Sequence, residues 1–309
     1  MNAVPILESI GRTPLVRLVR LPPPGSADVY VKWEGANPTG AMKDRMALSM
    51  IEGAEQRGDL RPGGSVVEYT GGSTGSSLAF VCAAKGYGAV LVSSDAFSEE
   101  KLRTMRALGA TLEVIPSGDG KIRPELIQAM IARARELAAE PGTFWCDQFN
   151  NPDNRAGYHG LGREIAEALE GRVDAFVMSV GTGGAFSGTA EALSEDAPGI
   201  RRVAVEPSTC PALSGSGPLG AHRIEGIGPG FVSSITRTDL IDEVAAVSSE
   251  EAYAAAQQLA RVEGVLSGIS TGANVVVALR VAQRLGPGRR VVTIAVDSGL
   301  KYLRGDLFQ

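Results

Sequence analysis

Lys43 sits in the run Asn37-Pro38-Thr39-Gly40-Ala41-Met42-Lys43-Asp44-Arg45, between a Gly-containing loop and a helix-forming pattern from Met46 to Arg57. The unpaired N–H groups and the dipole at a helix start carry partial positive charge. An ammonium placed there is destabilised, so Lys43 is expected to lose its proton more readily than a surface lysine. A neutral amine is what Schiff-base chemistry requires. Taken alone, a solvated lysine in a first helical turn is the simpler reading. Three further loops change that.

Val180-Gly181-Thr182-Gly183-Gly184-Ala185-Phe186-Ser187-Gly188 follows an apolar strand pattern and opens a helical one. Glycines let a backbone approach an anion, and the helix start supplies N–H donors. The loop reads as a phosphate cradle, with Thr182 adding a hydroxyl. It is not the dinucleotide fingerprint, because Phe186 stands three places after Gly183 where a glycine belongs, and no GxxxxGK[ST] occurs. Tyr69-Thr70-Gly71-Gly72-Ser73-Thr74-Gly75-Ser76 also joins a strand to a helix. Its hydroxyls and N–H groups suit a carboxylate. Gly71-Gly72-Ser73-Thr74-Gly75 equally fits the G-x-S-x-G elbow of serine hydrolases, which needs a histidine late in the chain. His159 and His222 both come too early for that order. Leu266-Ser267-Gly268-Ile269-Ser270-Thr271-Gly272-Ala273 is a third such turn, and Gly226-Ile227-Gly228-Pro229-Gly230 a further Gly-rich segment. Open α/β sheets bind ligands at loops of this kind.

The elements that must hold these loops alternate apolar strands with amphipathic helices, as in an α/β fold with a mainly parallel sheet. Strands are expected at Val29–Trp33, Ser65–Tyr69, Ala89–Ser93, Thr111–Ile115, Ala175–Val180, Arg202–Val205, Val244–Val247 and Val291–Val296. Helices are expected at Lys43–Arg57, from the Gly-rich turn to Lys85, after Ser98 as its cap, from Pro124 to Ala139, and at Ser187–Glu195, Glu250–Arg261 and Asn274–Leu285. Residues 141–155 read as a crossing between lobes, and Pro207–Ser234 as a long irregular segment lining a site.

Composition narrows the classes. With 309 residues the chain can bury a large core in two lobes. A net charge of −5 without a basic block gives no case for nucleic acid or an anionic membrane, and no apolar run reaches membrane-span length. Met1-Asn2-Ala3-Val4-Pro5 lacks the basic and apolar regions of a leader, which points to the cytoplasm. Cys82, Cys146 and Cys210 are far apart, and with only two histidines no metal site is expected. Cys82 falls in an apolar pattern and reads as core.

Together these segments resemble the cysteine synthase (O-acetylserine sulfhydrylase) and cystathionine β-synthase family of fold-type II pyridoxal-phosphate enzymes. The likeness runs from Gly11-Arg12-Thr13-Pro14-Leu15-Val16-Arg17-Leu18 through the lysine loop, Gln148-Phe149-Asn150-Asn151-Pro152, the Gly181 loop and Val205-Glu206-Pro207. It continues over His222-Arg223-Ile224-Glu225-Gly226-Ile227-Gly228 and Ser267–Ala273 to Asp297-Ser298-Gly299-Leu300-Lys301-Tyr302-Leu303. The resemblance implies that Lys43 holds pyridoxal 5′-phosphate and shuttles the substrate α-proton. It implies that Gly181, Thr182, Gly183 and Gly184 bind the cofactor phosphate, that Ser270 meets the pyridine nitrogen, and that Ser73 contacts the cofactor. It implies that Thr70, Gly71, Gly72, Thr74 and Gln148 take the substrate carboxylate, with Gly226 bordering the substrate. A neutral hydroxyl at Ser270 does not hold the ring protonated, which suits β-elimination over transamination. Two departures stand out. The family loop T-S-G-N-T-G is here Thr70-Gly71-Gly72-Ser73-Thr74-Gly75, which replaces the serine by Gly71 and the asparagine by Ser73. The second threonine of the phosphate loop is Ala185, a lost hydroxyl worth about 0.5–1.5 kcal/mol.

The implied architecture is two-lobed, with open, mainly parallel sheets carrying helices on both faces and the cofactor between the lobes. An N-terminal lobe spans residues 35–150 and a C-terminal lobe 151–309, with the segment 13–34 packing on the latter. No heme or regulatory domain is expected beside this core. The implied reaction is β-replacement on an activated L-serine, with sulfide the expected nucleophile, in a homodimer. O-Phosphoserine as donor, homocysteine or a nitrogen nucleophile as acceptor, a Ser73 hydrolase and a binding protein on an enzyme scaffold remain open. A phosphate leaving group needs a cation, and Arg223 and Arg237 flank the Gly226–Gly230 loop.

Overall fold

The computed structural model describes residues 5–120 and 123–309; Met1–Val4, on which the reading of a leaderless N-terminus partly rests, lie outside them. The elements are β1 (Leu15–Arg17), β2 (Asp28–Trp33), α1 (Lys43–Arg57), β3 (Ser65–Tyr69), α2 (Ser73–Lys85), β4 (Gly88–Ser94), α3 (Glu99–Ala107), β5 (Thr111–Ile115) and α4 (Pro124–Ala138). They continue with β6 (Thr143–Trp145), α5 (Pro152–Ala156), α6 (His159–Ala168), β7 (Ala175–Ser179), α7 (Gly184–Asp196), β8 (Arg201–Pro207), β9 (Glu243–Val247), α8 (Ser249–Gln258), α9 (Ile269–Leu285) and β10 (Arg290–Ala295). Two compact units result: Met1–Ile10 with Lys43–Gly157, and Gly11–Met42 with Tyr158–Gln309. No helix among the described residues is long and apolar enough to cross a membrane.

The first unit holds a four-stranded sheet in the order β5-β4-β3-β6, parallel throughout. Val67 lies opposite Val90 and Trp145 in register. Side chains alternate between the faces of a strand. Val67, Tyr69 and Val92 therefore pack on Leu126, Met130 and Ala134 of α4. The intervening Val66 and Leu91 are fully buried on the other face, where α2 lies with α1 and α3 beside it. The crossing expected at 141–155 contains two elements, β6 and α5, and α6 follows directly. Ser98 is the N-cap of α3 by position, but its hydroxyl donates to Glu100 at 2.8 Å and accepts no backbone N–H.

The second unit carries six strands in the order β1-β2-β10-β7-β8-β9, with β1 antiparallel to β2 and the rest parallel. Ala175 and Val177 of β7 join a core with Val275, Val277, Ala278 and Val281 of α9. Phe176 points the other way and stacks on Phe186 of α7, ring centres 5.8 Å apart. Helices thus cover both faces, as parallel sheets require. The long segment after β8 is irregular up to a short 3-10 turn at Thr238–Leu240, and Glu206 pins it by accepting from the Leu213 N–H at 2.8 Å.

Candidate active site

The approach to Lys43 is fastened by the second unit's own residues. Asn37 donates to the buried Glu34 carboxylate at 2.8 Å and accepts the Gly11 N–H at 2.9 Å. Gly40 turns the chain with φ +73°, and its carbonyl accepts the Ser298 N–H at 2.8 Å. The Met42 N–H reaches the Val296 carbonyl at 2.9 Å. Lys43 is then the first residue of α1, half-buried and followed by the buried Asp44 and Arg45. Its amine therefore begins at the positive end of a helix dipole.

The Thr70–Gly75 turn lies at the end of β3. The Thr70 hydroxyl accepts the N–H groups of both Gly72 and Gly75 at 3.1 Å, so it holds the loop's shape. The Thr74 hydroxyl donates to the Gln148 side-chain carbonyl at 2.9 Å, and the Gln148 amide donates to Tyr69 O at 3.2 Å. Thr70, Gly71, Gly72, Ser73, Thr74 and Gln148 are thereby brought together within one unit. Ser73 opens α2, and its N–H and that of Thr74 belong to the helix start, where no intrahelical acceptor exists. A side chain at Gly71 would meet the Phe97 ring at 2.6 Å, and one at Gly72 the Lys101 stem at 2.6 Å. Beneath the loop, the fully buried Glu68 accepts the Tyr69 N–H at 3.0 Å and the Gln148 N–H at 3.1 Å. Burial, with Asp147 nearby, raises its carboxyl to about 8 against those two N–H groups. Nothing in the sequence pattern separated Glu68, Phe97 and Lys101 from ordinary strand and helix positions.

The Gly181 loop lies at the end of β7, in the second unit. A Cβ on Gly181 would overlap the Gly226 carbonyl, and one on Gly183, at φ +84°, would overlap the Thr236 hydroxyl. No side chain therefore fits at either place, and α7 starts at Gly184 with its first N–H groups unpaired inside the helix. Unpaired N–H groups at a helix start with no side chain over them would fit a phosphate. Thr182 is buried, and its carbonyl accepts from Ser233 at 2.5 Å. Gly226 lies against Gly181, with φ +85°.

Ser270 is buried in the first turn of α9. Gly268 before it leaves room for Asp297 and Tyr302, whose hydroxyl donates to Asp297 at 2.8 Å. The Thr271 hydroxyl accepts the Val296 N–H at 2.9 Å. Asn274 joins α9 to two strands, accepting the Ser179 N–H at 2.7 Å and donating to Ile294 O at 2.8 Å. Asn274 bridges α9 to the strands that end at the site, a role that an apolar-periodic helix pattern conceals.

The two histidines are engaged. His222 Nδ1 accepts the Ile224 N–H at 3.3 Å, and its Nε2 lies 3.1 Å from Gly228 O, which fixes the Nε2–H tautomer. His159 Nε2 lies 2.9 Å from Glu191. Arg237 pairs with Asp239 and Glu191, each at 2.7 Å. Arg223 pairs with Asp306 and lies over the Tyr253 ring at 4.6 Å. All three cysteines are buried and outside any disulfide, and burial pushes the Cys82 thiol up to about 12. Among the described residues no three His, Cys, Asp or Glu side chains are grouped to hold a metal.

The chain as a whole is similar to known proteins. The family of pyridoxal-phosphate dependent enzymes matches residues 6–297. A cysteine synthase of Staphylococcus aureus (strain Mu50 / ATCC 700699) is 42% identical over 306 residues, covering 98% of this chain and 96% of that one. Among solved structures, an O-ureido-L-serine synthase superposes with a TM-score of 0.92 at 37% identity, covering 99% of this chain and 95% of its own. An O-acetylserine sulfhydrylase, isoform 3, from Entamoeba histolytica has a TM-score of 0.90 at 34% identity over 98% of this chain and 90% of that one.

Proposed function

The chain belongs to the pyridoxal-phosphate dependent enzyme family, with the fold-type II architecture, and on that premise we propose that it makes L-cysteine from O-acetyl-L-serine and sulfide. The observation that carries the reaction is the 42% identity to a cysteine synthase over 98% of the chain. When bound, pyridoxal phosphate supplies an electron sink conjugated to the substrate α-carbon. Lys43 anchors it and moves the α-proton. The N–H groups of Gly181, Thr182, Gly183 and Gly184 take the phosphate, with the Thr182 hydroxyl. Ser270 offers the ring nitrogen a neutral hydroxyl, and Ser73 contacts the cofactor from the other half of the sequence. Thr70, Gly71, Gly72, Thr74 and Gln148 present the substrate carboxylate with donors, and Gly226 borders it.

The bond changes balance. Lys43 takes the α-proton, the Cβ–O bond breaks and acetate leaves with its electron pair. Hydrosulfide then forms the Cβ–S bond, and the proton returns to the α-carbon. Acetate is favoured over phosphate as leaving group because Arg223 and Arg237 are already paired with carboxylates. A phosphate dianion would have to displace them.

The likeness to an O-ureido-L-serine synthase keeps a second nucleophile class in view. We place the enzyme in the cytoplasm as a homodimer, on the strength of the family resemblance; light scattering tests the latter. Steady-state assays decide the reaction: O-acetylserine or O-phosphoserine, each with sulfide, homocysteine or hydroxyurea. The highest kcat/KM is expected for O-acetylserine with sulfide. Preference for O-phosphoserine, lost in Arg223→Ala or Arg237→Ala, would overturn the donor assignment.

A further inference from the structure

We infer that Ser233 and Thr236 set the direction of the Thr182–Gly183 peptide and so aim the Gly183 N–H at the cofactor phosphate; this rests on the reading of Gly181–Gly184 as the phosphate cradle. Ser233 is buried, and its hydroxyl donates to the Thr182 carbonyl at 2.5 Å. A carbonyl only accepts, so the one Ser233 proton is committed there. The Thr236 hydroxyl, 2.9 Å from that of Ser233, must then donate to it. The same Thr236 hydroxyl lies in the space that a Cβ on Gly183 would claim, at a residue with φ +84°. The two hydroxyls therefore grip one peptide unit, one through its carbonyl and one against its α-carbon.

The peptide unit is planar and trans, so its C=O and N–H point in opposite directions. With the carbonyl tied to Ser233, the Gly183 N–H faces away from Ser233. A flipped peptide would present a carbonyl oxygen to an anion instead. Glycine at a positive φ has little steric resistance to such a flip. The rest of the loop is braced by the same irregular segment. The Gly228 N–H donates to Val180 O at 3.1 Å, and the Arg237 N–H to the Ser187 hydroxyl at 2.9 Å. Ala185 adds no hydroxyl to this loop, so the phosphate depends the more on correctly turned backbone donors.

The test is titration of the apoprotein with pyridoxal phosphate and, separately, with pyridoxal, read by absorbance and intrinsic fluorescence. Wild type, Ser233→Ala, Thr236→Val and Ser233→Thr are compared, with melting temperatures to show that each is folded. Wild type is expected to bind pyridoxal phosphate far more tightly than pyridoxal. Ser233→Ala and Thr236→Val should lose about tenfold or more in affinity for the phosphate form, the size of one hydrogen bond to a charged group. Both should bind pyridoxal within about twofold of wild type, because the lost donor serves only the phosphate. Ser233→Thr keeps the hydroxyl and should keep the affinity. Thr236→Val keeps the side-chain shape, so it decides the matter should Ser233→Ala fail to fold. Folded variants that retain the full preference for the phosphate form, or lose both ligands equally, overturn the inference. A wild type with no such preference would instead remove the cradle reading itself.

Discussion

Ser270 and Ser73 are neutral hydroxyls at the starts of helices, and their neutrality is the chemical statement they make. If Ser270 meets the pyridine nitrogen as proposed, a carboxylate there would hold that nitrogen protonated and deepen the electron sink. Ser270→Asp is therefore expected to slow β-replacement at least about tenfold and to shift the bound cofactor's visible spectrum. An unchanged rate and spectrum would count against the contact. Ser73 stands in a strand-to-helix turn that also suits a hydrolytic nucleophile, but it needs an imidazole with a free lone pair. His222 Nδ1 already accepts an N–H, and His159 faces Glu191. A fluorophosphonate probe should leave Ser73 unlabelled. Stoichiometric labelling there, with esterase activity lost in Ser73→Ala, would restore the hydrolase reading.

Between elements, the clearest dependence joins the β3–α2 turn to the loop before α3. Gly71 has no side chain because the Phe97 ring fills that volume, at 2.6 Å from where a Cβ would be. Gly71→Ser is expected to cost about 1–3 kcal/mol of stability, the usual size of overpacking, and to raise the KM for the amino-acid donor. Phe97→Ala in the same chain should recover most of both losses. Additive losses in the double variant would show that the two positions are independent. This coupling is invisible in the sequence, since Phe97 reads only as a hydrophobe before a helix. Other elements were legible. β3, β5 and α1 run over the residues expected of them, because their apolar periods are clean and Gly or Pro brackets them. α7 and α9 begin earlier than expected, at Gly184 and Ile269 rather than Ser187 and Asn274. Their first turns are rich in Gly, Ser and Thr, poor helix formers that cost little where N–H groups lack intrahelical partners anyway. β6 was missed because Thr143–Trp145 is too short to show a period, and α6 because Gly157 and Tyr158 break the pattern before it. The loops of the site were readable as Gly/Ser turns at strand ends; the residues behind them were not, because Glu68, Asn274 and Ser233 act through hydrogen bonds to residues far along the chain, and Thr236 acts through Ser233 and by packing against Gly183.

For the whole molecule, Glu68 should leave a signature in the pH dependence of stability. Its carboxyl titrates near 8 in the fold against about 4.5 in the unfolded chain. Between those values the folded state holds a proton that the unfolded state has released. Stability must therefore fall as pH rises through that window, with a slope approaching about 1.4 kcal/mol per pH unit from this group, and level off above it. Glu113 and Asp242 are held low, foremost by hydrogen bonds from Arg133 and Arg202. Their contributions are lost as pH falls through their folded values, so stability is expected to peak on the acid side of neutrality. Urea unfolding from pH 5 to 9 checks this, and Glu68→Gln should flatten the decline between about pH 5 and about 8; an equal decline in that variant would assign it elsewhere. The proposed attachment of pyridoxal phosphate to Lys43 is open to a more direct test. The holoenzyme is reduced with borohydride, digested and mapped by mass spectrometry, beside Lys43→Ala. The expected result is a phosphopyridoxyl group on Lys43 alone and no reducible adduct in the variant. An adduct on another lysine, or the same adduct persisting in Lys43→Ala, would contradict it.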